Sequence, residues 1–322
     1  GSKFVFGNNL GGADGGFGVI LAFQILPIII FIASLFSVLY YLGIMQWFVR
    51  GMAVAMQKVM RTSGAETFGV ALQVFMGIES ISAQSGYIKS MTRSELFTIM
   101  TSFLATIAAS VMVAYANFGA EPGHLIAASL MSAPASILFA KLLVPEQGHP
   151  LTLDAGGEEI QIESHNLFDA AAQGASMGVQ IAINVGALLI VFVGLIYLMD
   201  QASLKLTHEG FAHWMGFVFR PVAWLIGVQS SDLGPLARLL ATKTVFNEFL
   251  AYQDLGALAK EHLLSERART LATYALCSFA NPGSVGIMIA GISSLAPERR
   301  ASLGLPGLEA LQAHLRSHRA WP

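Results

Sequence analysis

Four long stretches of this chain contain no Asp, Glu, Lys or Arg: residues 15–49, 96–120, 170–199 and 270–297. Each is longer than the roughly 20 residues that an α-helix needs to cross about 30 Å of hydrocarbon. Only 12% of all residues are charged, whereas soluble domains average about 25%. The pattern predicts an all-α, multi-pass integral membrane protein that has a lipid bilayer around it.

Several classes of function are disfavoured by the composition. The net charge of −2 gives no electrostatic basis for binding nucleic acid. The single cysteine, Cys277, excludes an intrachain disulfide framework. No H-E-x-x-H or C-x-x-C motif and no nucleophile–base pair is visible, so the sequence predicts neither an enzyme nor a bound cofactor.

The apolar stretches also predict an order of helices. One continuous helix is expected from Phe17 to Val49, with a kink at Pro27. A helix lying in the membrane interface is expected over residues 51–62, where apolar and basic residues mix. Further spans are predicted at residues 95–118, 124–145, 178–199, 214–228 and 268–296, with a solvent loop at 146–166.

Two segments are too polar to be continuous spans. Residues 64–91 predict a re-entrant hairpin with its tip near Gly77, and residues 233–255 predict a second one containing Glu248. Each is followed by a span with small or helix-breaking residues in its middle, around Thr106 and in C-S-F-A-N-P-G-S from Cys277. Broken helices at membrane depth occur only where they line protein or water.

The order of hairpin followed by broken helix occurs twice. Paired interrupted helices in two halves of a membrane protein point to a transport site near the bilayer midplane. We therefore expect a single transport domain over residues 1–304, built from inverted repeats at about 64–145 and 233–304. Residues 305–322 are expected to form a short, divergent tail.

Glu248 is an ionisable group in a sequence otherwise suited to a bilayer. Such a group costs roughly 2.5–3.5 kcal/mol on insertion scales, so it normally faces a cavity or a partner. A purely structural carboxylate paired with Lys243 or Arg238 is the alternative. Asn281, in the interrupted span, is either a substrate contact or a cap for the helix break.

Several ordered motifs resemble the concentrative nucleoside transporter family. They are the segment from Leu21 to Gln46, M-T-R-S-E-L-F from Met91, L-I-A-A-S-L-M-S-A-P from Leu125, K-T-V-F-N-E-F-L-A-Y from Lys243, and F-A-N from Phe279. The resemblance extends to about residue 304 and implies a symporter that takes up nucleosides with Na⁺ or H⁺. It also implies a homotrimer in the inner membrane, with scaffold and transport subdomains and elevator-type motion.

The resemblance places the ribose side of the substrate site in the second repeat. Glu248, Asn281, Ser284 and Phe279 match the family's positions for it. A carboxylate, an amide and a hydroxyl suit sugar hydroxyls, and the ring of Phe279 suits an apolar face. A uridine-like nucleoside is the expected substrate.

The first repeat departs from the family pattern. Where the family has G-Q-T-E-A-P at the hairpin tip, this chain has G-I-E-S-I-S from Gly77. When Glu79 is aligned with the family's Glu, one residue of the tip is deleted, either the Gln or the Thr. By resemblance, Gly77, Ile78, Glu79 and Val111 are expected to complete the substrate site, with Glu79 facing the base. The altered tip predicts weak discrimination between bases.

The resemblance also implies a cation site in the first repeat. Gln73 replaces the family's Asn, and Thr106 replaces its Ser. Backbone oxygens of Met76 and Ile107 would complete the ligands for Na⁺. The longer side chain and the shorter tip leave Na⁺ and H⁺ open as the coupling ion.

Two other kinds of function stay open from the residues alone. The chain could be a nucleoside-binding protein that kept the ribose pocket without transport, or an uncoupled facilitator. The altered tip and the lack of a counterpart to the family's last helix favour the non-transporting alternative. The intact motifs of the second repeat favour transport.

Overall fold

The computed structural model describes Val5 and residues 22–23, 26–77, 80–152 and 164–299. Helices are the regular structure of these ranges. Contacts divide the chain into two compact units. The first unit is Gly1–Met45, Ala109–Ala128 and Ile162–Gly283, and the second is Gln46–Ala108, Ser129–Gln161 and Ser284–Pro322.

The described α-helices are numbered here in chain order. They are α1 Leu26–Tyr41, α2 Ile44–Met60, α3 Gly64–Gln73, α4 Ser80–Ala83, α5 Ser85–Ile88, α6 Arg93–Ala105, α7 Ala109–Asn117, α8 Pro122–Leu143, α9 Leu167–Thr207, α10 Phe211–Ile226, α11 Leu233–Val245, α12 Glu248–Lys260, α13 Glu266–Leu276 and α14 Pro282–Leu295. A 3₁₀ turn follows at Pro297–Arg299.

The first long helix is broken, so the expectation of one continuous helix to Val49 was wrong. Helix α1 ends at Tyr41, and α2 leaves at 78° to it after a break at Leu42 and Gly43. Gly43 has φ +80°, a left-handed conformation that glycine adopts without steric cost. Pro27 is the second residue of α1 as described, and the residues around the predicted kink before Leu26 lie largely outside the described residues.

Apolar length supports a membrane location for part of the chain. In the described residues, α8 is long and apolar enough to cross a bilayer by itself, and α1 with α2 passes the same test as a bent pair. The predicted span at 178–199 lies inside α9, which has 41 residues. Helix α9 is longer than expected at both ends, because it already begins at Leu167 and continues past residue 199 to Thr207.

Small residues bring α1 and α9 together in the first unit. A Cβ on Gly174 would lie 2.5 Å from the Ser37 Cβ, and one on Gly178 would lie 2.7 Å from the Ile30 Cα. The Ser34 hydroxyl donates a hydrogen bond of 2.9 Å to the Ala171 carbonyl. Close backbone approach at small residues is the usual way that helices associate in membranes.

Two hairpins and two broken helices appear in the predicted order. Helices α11 and α12 form the second hairpin, and α3 with α4 and α5 forms the first. Helix α6 stops at Ala105 before α7 begins at Ala109, and α13 stops at Leu276 before α14 begins at Pro282. The fold prediction is confirmed in both repeats.

Each hairpin is tied at its base to the helix that follows it. In the second unit, the Ser63 hydroxyl, which caps α3, donates to Glu95 in the first turn of α6. In the first unit, the Ser265 hydroxyl, which caps α13, donates to Asp232 at 2.6 Å just before α11. The same type of cross-link therefore closes both repeats, with donor and acceptor exchanged.

A buried ion pair joins α3 to α8 in the second unit. The Lys141 ammonium lies 2.8 Å from the Glu66 carboxylate and donates to the Ser94 hydroxyl at 3.0 Å. Glu66 also accepts from the Ser63 backbone N–H. The buried charge of Glu66 is thereby paired and hydrogen-bonded, which a carboxylate needs away from water.

Candidate functional site

Glu248 is the first residue of α12, and its side chain is buried. The helix begins there because the Asn247 side chain caps it, accepting a hydrogen bond of 3.0 Å from the Leu250 backbone N–H. A negative charge in the first turn of a helix interacts favourably with the helix dipole. Asn247 thus places the carboxylate, while its own oxygen is used in the cap.

Two donors from other elements converge on the Glu248 carboxylate. The Tyr115 hydroxyl of α7 donates to Oε1 at 3.0 Å, and the Asn281 Nδ2 donates to Oε2 at 2.9 Å. Hydrogen bonds to a charged group are worth about 1.5–3 kcal/mol each. The first unit therefore holds a buried carboxylate in a fixed orientation.

Lys243 interacts with Glu248 through space, and the structural alternative for Glu248 stays open. The Lys243 ammonium donates to the Ala275 carbonyl at 2.8 Å, at the C-terminal end of α13. Among the described residues, no ion pair joins Glu248 to Lys243 or to Arg238. Lys243 supplies a donor and a positive charge where the last turn of α13 leaves its carbonyls without helical partners.

Phe279 and Asn281 lie in the helix break between α13 and α14, and Ser284 follows within α14. Asn281 immediately precedes α14, and its backbone N–H bonds to the Phe279 carbonyl at 2.8 Å. Phe279 is half-buried, and Ser284 is buried. Glu248 and Asn281 are brought into contact, whereas substrate contact by Phe279 and Ser284 stays a prediction.

An aromatic layer fixes the position of Tyr115. Its ring stacks on Tyr252 with centroids 4.4 Å apart and meets Phe249 edge-on at 5.1 Å. The Tyr252 hydroxyl in turn donates to the Thr273 carbonyl at 2.8 Å. Sequence reasoning missed Tyr115, although a tyrosine in a charge-free segment needs a partner for its hydroxyl.

The remaining predicted substrate residues are only partly described. Val111 is buried one turn before Tyr115, on the same face of α7. Gly77 is buried and is the last described residue before the gap at 78–79 in the first hairpin. Ile78 and Glu79 lie outside the described residues, so their roles stay predictions.

Gln73 and Thr106, the two side chains predicted to bind a cation, are both buried in the second unit. The Gln73 Nε2 donates to the Ile99 carbonyl at 3.1 Å, while its Oε1 is buried without a hydrogen-bond partner. The Thr106 hydroxyl donates to the Ser102 carbonyl at 2.8 Å and lies 3.4 Å from the Gln73 carbonyl. Because the Thr106 hydroxyl acts as the donor to the Ser102 carbonyl, its own lone pairs stay available to an ion.

The other two predicted ligands would contribute backbone oxygens. Met76 is half-buried near the end of α3, and Ile107 is fully buried in the break between α6 and α7. In the described ranges, no group of three or more His, Cys, Asp or Glu side chains could hold a metal. Neutral oxygen ligands fit a hard monovalent cation better than a transition metal.

Comparison with known proteins decides the family. Residues 124–316 match the model described as the C-terminus of the Na⁺-dependent nucleoside transporters, and residues 22–122 match a nucleoside recognition model. The chain belongs to the Na⁺-dependent nucleoside transporter family. Members of this family are membrane transporters rather than enzymes, in agreement with the sequence prediction.

Relatives in bacteria and mammals share this relationship over nearly the whole chain. An uncharacterized transporter from Haemophilus influenzae is 40% identical over 329 residues, which is 97% of this chain and 77% of that protein. Solute carrier family 28 member 3 from mouse is 38% identical over 334 residues. The chain spans about half the length of this mammalian relative, 47%.

Solved structures of CNTnw have the same fold. Its inward-facing, substrate-bound state matches with a TM-score of 0.88 and 38% identity, covering 96% of this chain and 77% of that one. An outward-facing state of a double variant matches with a TM-score of 0.86 and 37% identity over 96% and 76% of the two chains. Both states match, so the likeness establishes the transporter fold rather than one transport state.

Proposed function

We propose that this protein carries nucleosides across the inner membrane together with a cation. The observation that carries the proposal is the Glu248 carboxylate, buried in the first unit and oriented by Asn281 at a helix break. An intramembrane carboxylate of this kind marks a substrate path. Membership of the nucleoside transporter family makes a nucleoside the expected substrate.

The ribose would bind to the Glu248 carboxylate. An ionised carboxylate offers about four acceptor positions, and Tyr115 and Asn281 occupy two of them. The positions left over suit two adjacent hydroxyl donors, such as the 2′- and 3′-hydroxyls of a ribose. Phe279 would cover the apolar face of the sugar, and Ser284 would add a hydroxyl.

The base would lie toward the first hairpin. Gly77, Ile78, Glu79 and Val111 would line this side, as the family pattern implies. Glu79 is the polar side chain of that set. We expect recognition of uridine-like nucleosides with weak discrimination among bases.

Na⁺ would be the co-transported ion. The unpartnered Oε1 of Gln73, the Thr106 hydroxyl and the carbonyls of Met76 and Ile107 are oxygen donors of the type that hold such an ion. A buried acceptor without a partner costs about 1–3 kcal/mol, and an ion would recover that energy. Proton coupling is the alternative, because Gln73 is longer than the family's asparagine.

The assembly and motion follow the family pattern in this proposal. We expect a homotrimer in which scaffold and transport subdomains are interleaved within residues 1–304. The repeats at about 64–145 and 233–304 would carry substrate and ion past the scaffold in an elevator-type movement. Their matched hairpins and broken helices support this assignment.

A non-transporting or uncoupled nucleoside-binding protein is the second candidate. The shortened tip, G-I-E-S-I-S in place of the family's G-Q-T-E-A-P, is the feature that favours it. Such a protein would bind nucleosides through Glu248 without accumulating them. Uptake measurements separate the two candidates.

The ribose assignment is tested by binding of uridine to purified Glu248→Gln protein. The amide cannot accept hydroxyl bonds with the strength of a carboxylate, so we expect at least a tenfold loss of affinity, or about 1.4 kcal/mol. Wild-type protein should also bind uridine at least tenfold better than 2′,3′-dideoxyuridine, because the analogue leaves buried acceptors unpaired.

The matched control is Glu261→Gln, which removes an exposed carboxylate at the other end of α12. This variant should bind uridine like the wild type. Wild-type uridine affinity in Glu248→Gln would rule out the ribose assignment.

A further inference from the structure

Tyr115 is placed where it can control the acceptor used for the ribose. Its side chain is fully buried, and its hydroxyl is 3.0 Å from the Glu248 Oε1. It belongs to α7, the second half of the broken helix of the first repeat. None of the sequence motifs pointed to this residue.

We propose that Tyr115 is a specificity-determining positioning residue, which orients the Glu248 carboxylate so that it selects nucleosides carrying a vicinal diol. The inference rests on the proposed function and adds a residue to that site. It concerns the choice between substrates, in addition to the strength of binding.

The Glu248 carboxylate needs partners to hold it in one orientation. The last torsion of a glutamate side chain is broad, so an unrestrained carboxylate samples many rotations. Here Tyr115 holds Oε1 and Asn281 holds Oε2, from two different elements. Two donors on two oxygens define the carboxylate plane and therefore the direction of the lone pairs left for substrate.

The Tyr115 ring is itself held by the helix that carries Glu248. Tyr252 stacks on one face, and Phe249 meets the ring edge-on, both of them from α12. Closely packed aromatic pairs of this geometry add rigidity and about 0.5–1.5 kcal/mol beyond their buried area. The hydroxyl therefore has little freedom to leave Oε1.

The direction of the hydrogen bond from Tyr115 to Glu248 determines which substrates bind more tightly. A phenol hydroxyl that donates to Oε1 stabilises the ionised carboxylate, which can only accept hydrogen bonds. Ligands with two adjacent hydroxyl donors satisfy the acceptor positions that are left. Ligands without them gain nothing from the orientation, so loss of the Tyr115 hydroxyl should affect the two classes unequally.

The test compares Tyr115→Phe with Tyr252→Phe in binding competition with uridine and 2′,3′-dideoxyuridine. Tyr252 is the matched control because it is equally buried and lies in the same stack, but its hydroxyl bonds to the Thr273 carbonyl. Tyr115→Phe should lower the affinity for uridine roughly tenfold, as expected for losing a hydrogen bond to a charged group. The affinity for 2′,3′-dideoxyuridine should change by less than about twofold. Tyr252→Phe should leave the ratio of the two affinities unchanged.

The double variant Glu248→Gln with Tyr115→Phe distinguishes a positioning role of Tyr115 from a merely structural one. The quantity compared is the ratio of the affinities for uridine and dideoxyuridine. In Glu248→Gln protein the carboxylate is gone, so adding Tyr115→Phe should cause no further loss of selectivity. An additive loss in the double variant would contradict the inference.

An infrared difference spectrum of wild-type protein with labelled tyrosine rings keeps the test independent of variant folding. Uridine should shift a phenol C–O band, because its hydroxyls draw charge from the oxygen that Tyr115 contacts. Dideoxyuridine should leave the band in place, and an unshifted band with bound uridine would overturn the inference.

The outcomes separate this inference from the proposed function. If wild-type protein prefers uridine and Tyr115→Phe keeps the same preference, the inference fails and the proposed function stands. If wild-type protein does not distinguish uridine from dideoxyuridine, the ribose assignment and this inference both fail.

Discussion

At the scale of single residues, Gln73 is the side chain whose contacts bear most directly on coupling. Its amide nitrogen is bonded to the Ile99 carbonyl, and its amide oxygen is buried without a hydrogen-bond partner. The Gln73 Oε1 is therefore a candidate ligand for the predicted cation site. Water or an ion would satisfy this oxygen.

We predict that Gln73→Met abolishes the Na⁺ dependence of uridine binding. Methionine fills similar space but has no strong acceptor oxygen, so the uridine affinity of the variant should vary less than about twofold with Na⁺ concentration. The uridine affinity of the wild type is expected to rise with Na⁺ concentration. Uridine titrations at several Na⁺ concentrations and constant ionic strength measure this effect.

Gln84→Met is the matched control for the Gln73 variant. Gln84 is also buried, donates from Nε2 to the Ser80 carbonyl, and has an unpartnered Oε1, but it lies outside the predicted ion ligands. The control should keep the Na⁺ response. Loss of the response in both variants, or in neither, would remove Gln73 from the cation site.

Single residues were predictable where their chemistry conflicts with a bilayer. Glu248 and Asn281 stand out as polar groups in apolar segments, and they do contact each other. Tyr115 and the capping role of Asn247 escaped because tyrosine and asparagine have common structural uses. Their roles depend on which helix packs beside them, and no local pattern encodes that.

At the scale of helices, Gly256 sets how closely α12 approaches the end of α7. A Cβ at this position would lie 2.0 Å from the Phe118 carbonyl oxygen, so no side chain fits without a backbone shift. The same two helices carry Glu248 and Tyr115. Their close packing therefore supports the hydrogen bond between these residues.

We predict that Gly256→Ala lowers the melting temperature and weakens uridine binding. Overpacking against a backbone atom typically costs about 1–3 kcal/mol. Thermal unfolding and uridine titration of the detergent-purified protein measure both effects.

Gly234→Ala is the helical control, because a Cβ there meets nothing within 4 Å. It should be neutral or slightly stabilising, since alanine favours helices over glycine by up to about 1 kcal/mol. A Gly256→Ala protein as stable as Gly234→Ala would contradict the packing account.

Helix positions were predictable from apolar length, but helix breaks were only partly so. The breaks near Thr106 and Asn281 were indicated by small, polar or helix-breaking residues within a span. The break at Gly43 was missed because its neighbours are uniformly apolar, and a single glycine is a weak signal. Both ends of α9 were misplaced because the residues flanking the apolar span, 167–177 and 200–207, include polar side chains yet are helical.

At the scale of the whole molecule, family membership agrees with the order of hairpin followed by broken helix, which occurs twice along the chain. The chain matches family models from residue 22 to residue 316 and CNTnw over 96% of its length. The sequence motifs were sufficient to anticipate this relationship. They could not establish transport, because the residues of the hairpin tip depart from the family pattern.

The most direct test of the account is uptake of radiolabelled uridine into proteoliposomes under an imposed Na⁺ gradient, with a matched pH gradient as the control. We predict accumulation above equilibrium that depends on Na⁺ and is lost in Glu248→Gln. Accumulation driven by the pH gradient alone would assign proton coupling. Failure to accumulate uridine under either gradient, by protein that binds it, would contradict coupled transport and favour the non-transporting alternative.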